Sequence, residues 1–251
     1  MKLSANKKIY FLSDFHLGVP TYSDSRQREH KLIRFLNFCA TDAEYIFIIG
    51  DIFDFWFEYN TVVPKGFVRI LAKIAELQER GINIFFFTGN HDLWMRDYFE
   101  LELGVKIFHE PQPFNFNDKK FLIGHGDGLG PGNSIYKIQK KIFLNPVCKF
   151  LFKWLHPDLG IKLALKLSHK SKTNHNHSVS SIKTNESIIS YCKEQALHFQ
   201  YDYFVFGHSH YPNECIINNN SVYYNVGDWI TQYSFGVFDG VELKIEKFNF
   251  N

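Results

Sequence analysis

Five short apolar runs recur along the chain, at residues 9–13, 45–49, 82–88, 120–124 and 203–206. Each has strand length, and none alternates as a strand with one wet face would, so buried strands are predicted. The stretches between the early runs read as helices. Residues 24–39 place Leu32, Ile33, Phe35, Leu36 and Cys39 at helical spacing. Residues 65–80 do the same with Phe67, Val68, Ile70, Leu71, Ile74, Ala75 and Leu77, and Gly81 stands where a helix end accepts a left-handed residue. Strands alternating with helices predict a layered α/β fold with a largely parallel sheet. Sites in such folds form beyond the carboxyl ends of the strands.

The pattern changes twice. Residues 214–218, 221–225, 234–238 and 241–247 read as strands, with hairpin signals at Asn218-Asn219-Asn220 and Asp239-Gly240. An antiparallel sheet completing the same domain is expected there. Residues 133–173 read instead as two or three helices with no strand between them. This segment carries nine lysines against one acid, Asp158, with leucines, phenylalanines and Trp154 interleaved. It is a basic amphipathic insertion in a single domain spanning 1–251. Its lysines are either solvated on a cap, or they meet anionic head groups or a negatively charged substrate. Residues 171–180 are polar and predict a mobile connection.

Composition narrows the classes. The chain has 251 residues, enough for a sizeable core, and its 27 Phe and 13 Tyr predict an aromatic-rich one. A net charge of +2 does not suggest a nucleic-acid binder, and no nucleic-acid partner is expected. The four cysteines, Cys39, Cys148, Cys192 and Cys215, form no C-x-x-C pair, which favours reduced thiols in the cytoplasm. No run is long enough to span a membrane or to serve as a signal peptide core.

Chemistry concentrates at the ends of the apolar runs. Five segments stand there: Ser13-Asp14-Phe15-His16, Gly50-Asp51-Ile52-Phe53-Asp54, Gly89-Asn90-His91-Asp92, Gly124-His125-Gly126-Asp127 and Gly207-His208-Ser209-His210. Singly, each could be a loop that caps the next helix. Together they place Asp and His where desolvation is costly without a partner, and a metal is the simplest partner. Mixed oxygen and nitrogen donors suit manganese, iron or zinc. Asp14, His16, Asp51, Asn90, His125, His208 and His210 are seven candidate ligands, more than the four of one tetrahedral zinc. Two divalent ions are therefore expected, with Asp51 as the natural bridge.

The ordered set D-x-H, G-D-x-x-D, G-N-H-D, G-H and G-H-x-H resembles the calcineurin-like metallophosphoesterase superfamily. The match runs from Asp14 to His210. The resemblance implies a four-layer αββα sandwich. It implies that Asp14, His16 and His210 hold one ion, that Asn90, His125 and His208 hold the other, and that Asp51 bridges. It also sets His91 apart as a catalytic group rather than a ligand, with Asp54 orienting it. Asp92 is expected to cap a helix over 93–100. Asp228 either supports the H-x-H histidines or closes a turn. The pair His175 and His177 is expected to be exposed.

Within the superfamily the chain is most similar to the lipid A pathway pyrophosphatases, through Ser-Asp-Phe-His-Leu-Gly, Gly-Asp-Ile-Phe-Asp-Phe-Trp and the basic insertion after His125-Gly126-Asp127. Some members of that group carry Arg where this chain has His91. That likeness implies a nucleotide–glycolipid substrate, UDP-2,3-diacylglucosamine. It further implies substrate contacts by Asn90, His91, Asp127, Lys137 and Lys166, and peripheral contact with the cytoplasmic face of an inner membrane. A phosphatase or phosphodiesterase for soluble nucleotides or phosphoproteins would not need the apolar cap. A non-catalytic metal-bound scaffold would not need His91.

Overall fold

A computed structural model of the chain describes residues 1–132, 134–173 and 177–250, with side chains described outside 167, 169–173 and 177–181. The strands are β1 (Lys8–Leu12), β2 (Ala43–Ile49), β3 (Asn83–Phe87), β4 (Lys106–Phe108), β5 (Gln112–Phe116), β6 (Lys119–Ile123), β7 (Tyr203–Phe206), β8 (Asn213–Asn218), β9 (Ser221–Asn225), β10 (Ser234–Phe238) and β11 (Leu243–Lys247). The helices are α1 (Tyr22–Cys39), α2 (Val68–Glu79), α3 (Tyr98–Leu103), α4 (Ser134–Leu144), α5 (Pro146–Lys153), α6 (Pro157–Thr173) and α7 (His177–His198).

Two sheets form, in the orders β11-β10-β1-β2-β3-β4 and β5-β6-β7-β9-β8. Strands β1 to β4 run parallel, as do β6, β7 and β9. The central strands are apolar throughout because both of their faces are covered. In β1, Tyr10 and Leu12 pack with Leu32, Phe35 and Leu36 of α1, while Ile9 and Phe11 join the core shared with Phe121 and Val205 of the other sheet. On the far side, Leu122, Phe204 and Tyr223 pack with Ile188 and Cys192 of α7. The layers are therefore helix, sheet, sheet, helix. The excess of phenylalanine goes largely into the space between the sheets, where Phe11, Phe47, Phe85, Phe114, Phe116 and Phe121 stack or meet edge to face. The four cysteines are free thiols.

Three expectations need correction. The four C-terminal strands do not make one antiparallel sheet. β8 and β9 pair antiparallel in the second sheet, where β9 also runs parallel to β7, whereas β10 and β11 join the first sheet beside β1. The hairpin signals are local and do fall between paired strands, but the choice of sheet is not local. The polar stretch 171–180 is not one connection, since α6 continues to Thr173 and α7 begins at His177. Residues 174–176, including His175, and the side chains of Lys170, Lys172 and His177 lie outside the described residues, as does Asn133. Third, Asp92 caps no helix. The helix begins later, at Tyr98, and Asp97 at its start makes no capping hydrogen bond.

A distant carboxylate does that work. Glu58, buried, accepts from the backbone N–H groups of Arg96, Asp97 and Tyr98 at 2.9, 3.1 and 3.2 Å, and from the Trp56 indole at 3.0 Å. It meets the orphan donors that every helix start leaves. Glu58→Ala should cost about 2–4 kcal/mol of unfolding free energy, because several buried donors lose their acceptor at once. Urea denaturation checks this, and a loss below about 0.5 kcal/mol would show that water serves as well.

Candidate metal centre

Parallel strands deliver their following loops to one edge. The segments after β1, β2, β3, β6 and β7 all carry the Asp, Asn and His residues singled out above. Local backbone turns the side chains out of the strand planes. Asp14, His16, Asp51, His208 and His210 have φ of 57°, 44°, 52°, 68° and 62°. Left-handed backbone costs an L-residue about 1–2 kcal/mol, so it persists only where the surroundings over-determine it. Two glycines let the loops approach closely. A Cβ on Gly89 would collide with the Asp51 carboxylate, and one on Gly207 would collide with Ser13 Oγ and lie 2.8 Å from Asp14 Oδ2.

Three sets of donor atoms come together within 4.8 Å: Asp14, His16 and His210; Asp51, His125 and His208; and His16, Asp51 and His91. Asp51 sits at the centre. Its Oδ2 lies 3.5 Å from His16 Nε2 and 3.4 Å from His125 Nε2, while Oδ1 accepts from the His91 backbone N–H at 2.9 Å. Asn90 Oδ1 is 3.4 Å from His125 Nε2. Asp14 Oδ2 accepts from the His208 backbone N–H at 2.9 Å.

Second partners orient the imidazoles. His125 Nδ1 lies 2.8 Å from the Ile49 carbonyl, which can only accept, so Nδ1 carries the proton and Nε2 faces the cluster. His16 Nδ1 lies 3.1 Å from Asp54 Oδ1, and His210 Nδ1 lies 3.4 Å from Asp228 Oδ2. With those Nδ1 protons directed at carboxylates, the Nε2 lone pairs of His16 and His210 face each other at 3.3 Å. Asp14 Oδ1 lies 3.7 Å from His16 Nε2 and 3.4 Å from His210 Nε2 and, though buried, accepts no hydrogen bond among the described residues. Donor atoms converging in this way fit a divalent cation, and a set of oxygens and nitrogens without thiolate suits such an ion.

Charges in the cluster are mutually dependent. Burial alone would raise Asp51 and Asp14, but the imidazoles beside them, His125 and His91 for one and His210 and His16 for the other, hold both carboxyls below the usual range. Burial opposes protonation of His125, yet Asp51 pushes it up to about 10. Burial, with the charge of His125, pushes His208 down to about 4. Asp92 is raised by burial and by Asp51 to about 7. Its role is structural: it accepts from the N–H groups of Gly89 and Ile52 at 2.8 and 2.7 Å, tying the second and third loops together.

The remaining sequence candidates fall in several places. Asp54 contacts both histidines, at 3.1 Å from His16 Nδ1 and 3.5 Å from His91 Nδ1, and its carbonyl lies 3.0 Å from His91 Nδ1. Asp228 does two things, since it also accepts from the N–H groups of Thr231 and Gln232 at 2.9 and 2.8 Å. Asp127 is buried and accepts from Tyr136 at 2.5 Å and from Lys140 at 2.7 Å. Lys137 instead donates to the Gly130 carbonyl, and Lys166 is exposed on α6.

Sequence reasoning missed Lys140, Tyr136 and Ser168. Ser168, on α6, donates to Asp54 Oδ2 at 2.8 Å and so ties the cap to the cluster. Only its place in the basic insertion hinted at it. The glycine-rich turn before α4 is packed rather than loose, because a Cβ on Gly130 would overlap the Ser187 carbonyl of α7.

The family model for calcineurin-like phosphoesterases matches residues 7–212. A Porphyromonas gingivalis protein named UDP-2,3-diacylglucosamine hydrolase is 36% identical over 95% of this chain and 97% of its own length. A Histophilus somni protein of the same name is 30% identical over 89% of this chain and 92% of its own length. A solved phosphoesterase from E. coli covers 96% of this chain and 92% of its own at 14% identity, with a TM-score of 0.47.

Proposed function

We propose, from the premise that this chain belongs to the calcineurin-like phosphoesterases and is therefore a metal-dependent hydrolase, that it cleaves the diphosphate of UDP-2,3-diacylglucosamine to UMP and 2,3-diacylglucosamine 1-phosphate. The observation that carries this reading is the basic, apolar cap fastened over a buried donor cluster through Ser168 and Asp54. The shared name of the relatives supports it.

In this reading Asp14, His16 and His210 hold one divalent cation, Asn90, His125 and His208 hold a second, and Asp51 serves both. Manganese is the first choice, with iron or zinc also compatible with the donors. Such ions acidify water and neutralise charge on phosphoryl oxygens when bound. The protein's own groups do the rest. Asp54, Asp228 and the Ile49 carbonyl keep the Nδ1 atoms of His16, His210 and His125 occupied, so the Nε2 atoms face inward. His91 donates to the phosphoryl group or the leaving oxygen, with its ring seated on the Asp54 carbonyl. Asn90, His91 and Asp127 face the substrate with Lys140 paired to Asp127, and Lys137 and Lys166 of the cap would turn to it on binding.

The cap belongs to the same domain and makes peripheral contact with the cytoplasmic face of the inner membrane. Trp154 and Ile135 are 78% and 76% exposed there, and Phe150, Leu151 and Leu159 are exposed with them. Such residues interleaved with lysines suit an acyl and anionic surface. Among the described residues no helix is long and apolar enough to cross a membrane.

The decisive assay compares detergent-solubilised UDP-2,3-diacylglucosamine with bis-p-nitrophenyl phosphate, both with manganese. Release of UMP from the lipid, at a kcat/KM at least about 100-fold above the diester, is expected for a site whose cap binds the acyl chains. Hydrolysis of the diester alone would assign the chain to soluble phosphoesters. No turnover of either at full metal content would make it a scaffold.

A further inference from the structure

We infer that Arg28 is a positioning residue for one of the two cations, acting through the backbone of the Asp14–His16 loop. This rests on the ligand assignment proposed above. Arg28 lies in α1 and is only 8% exposed. Its Nη1 donates to the carbonyls of Phe15, His16 and Val19 at 3.0, 2.7 and 3.2 Å, and these hydrogen bonds go to no described carboxylate. A buried guanidinium is costly to desolvate, and burial does lower its proton affinity. Among the described residues its hydrogen bonds go to the loop.

The loop needs it. The N–H groups of Asp14, Phe15, His16 and Leu17 already donate to the carbonyls of Gly50, Asp51, Asp51 and Ile52. On the opposite edge the carbonyl of Asp14 accepts from the Trp229 N–H and that of Leu17 from the Asp54 N–H, so the buried carbonyls of Phe15 and His16 are the ones that require a side-chain donor. Arg28 supplies both from Nη1, held in place by the planar guanidinium. Asp14 and His16 both hold left-handed backbone there, and a loop with its carbonyls released would relax to ordinary φ and swing both side chains away from His210. The loops that carry Asn90, His125 and His208 have no contact with Arg28 among its hydrogen bonds. The larger effect on metal is therefore expected at the Asp14, His16 and His210 site, although Asp51 and the bond from His208 N–H to Asp14 Oδ2 connect the loop to the other.

A manganese(II) titration of purified protein, followed by calorimetry and electron paramagnetic resonance, tests this. Arg28→Met should weaken one of two binding steps by about 10–100-fold, as loss of an outer-shell partner does, and leave the other within about twofold. The spin-coupled signal of an ion pair should give way to that of a single ion. Arg28→Lys should show the same asymmetry, less severely. A merely structural arginine would weaken both steps alike, or neither. Either result, in a variant with wild-type circular dichroism, overturns the inference. His210→Ala in the same titration checks the underlying assignment, since it should remove the same step. Uptake of fewer than two ions by the wild type would overturn that assignment and this inference with it.

Discussion

Asp51→Ala is expected to lower kcat/KM by at least about 1,000-fold, equivalent to about 4 kcal/mol of lost transition-state stabilisation, and to reduce the bound metal. Asp51 lies between His16 Nε2 and His125 Nε2, and it also fixes the third loop by accepting from the His91 backbone N–H. Removing it deletes the charge common to both proposed ion sites. It also removes the carboxylate that most raises the proton affinity of His125. Asp51→Asn separates charge from shape, because the amide oxygen can still accept from His91 N–H. It should lose metal nearly as fully as the alanine variant. Metal analysis beside steady-state kinetics decides the matter, and full activity in either variant would sink the dinuclear assignment.

His91→Ala should keep its metal and lose about 100- to 10,000-fold in kcat, the range in which a single proton donor acts. The ring is 14% exposed, so unlike Asp51 it can reach a ligand in the cleft. Its Nδ1 is held by the Asp54 carbonyl, and the ring stands edge-on to His16 with centroids 4.7 Å apart. That proximity also allows His91 to act as a ligand, since its donor atom groups with those of His16 and Asp51. The two roles separate cleanly. A catalytic donor leaves metal stoichiometry untouched and lowers kcat, while a ligand takes metal with it. Loss of an ion in His91→Ala would move this residue into the coordination set.

Much of the donor cluster can be read in the chain because its chemistry is written at strand ends. Strand recognition depends on apolar runs such as Tyr45–Ile49, and each run is followed at once by its Asp, Asn or His. β4 and β5 were not legible, because a three-residue strand and the alternating, partly exposed Gln112–Phe116 lack that continuous apolar signal. Asp92 shows the limit at a single residue. Its spacing suits a helix cap, yet its oxygens are taken by the N–H groups of Gly89 and Ile52. Glu58 shows the converse, since nothing near it in sequence suggests that it caps α3 from 40 residues away.

By itself the sequence determined the periodic elements, the buried character of the central strands and the set of donor residues, because these depend on side-chain type at fixed local spacing. Only the tertiary structure decided which sheet each C-terminal hairpin joins, which lysine meets Asp127, and that Ser168 and Arg28 bear on the cluster from α6 and α1. The physical reason is range. A periodicity is set by neighbours a few residues apart, whereas a buried carbonyl or carboxylate takes whichever donor the packed layers bring to it, and that donor's position in the chain carries no mark of the meeting.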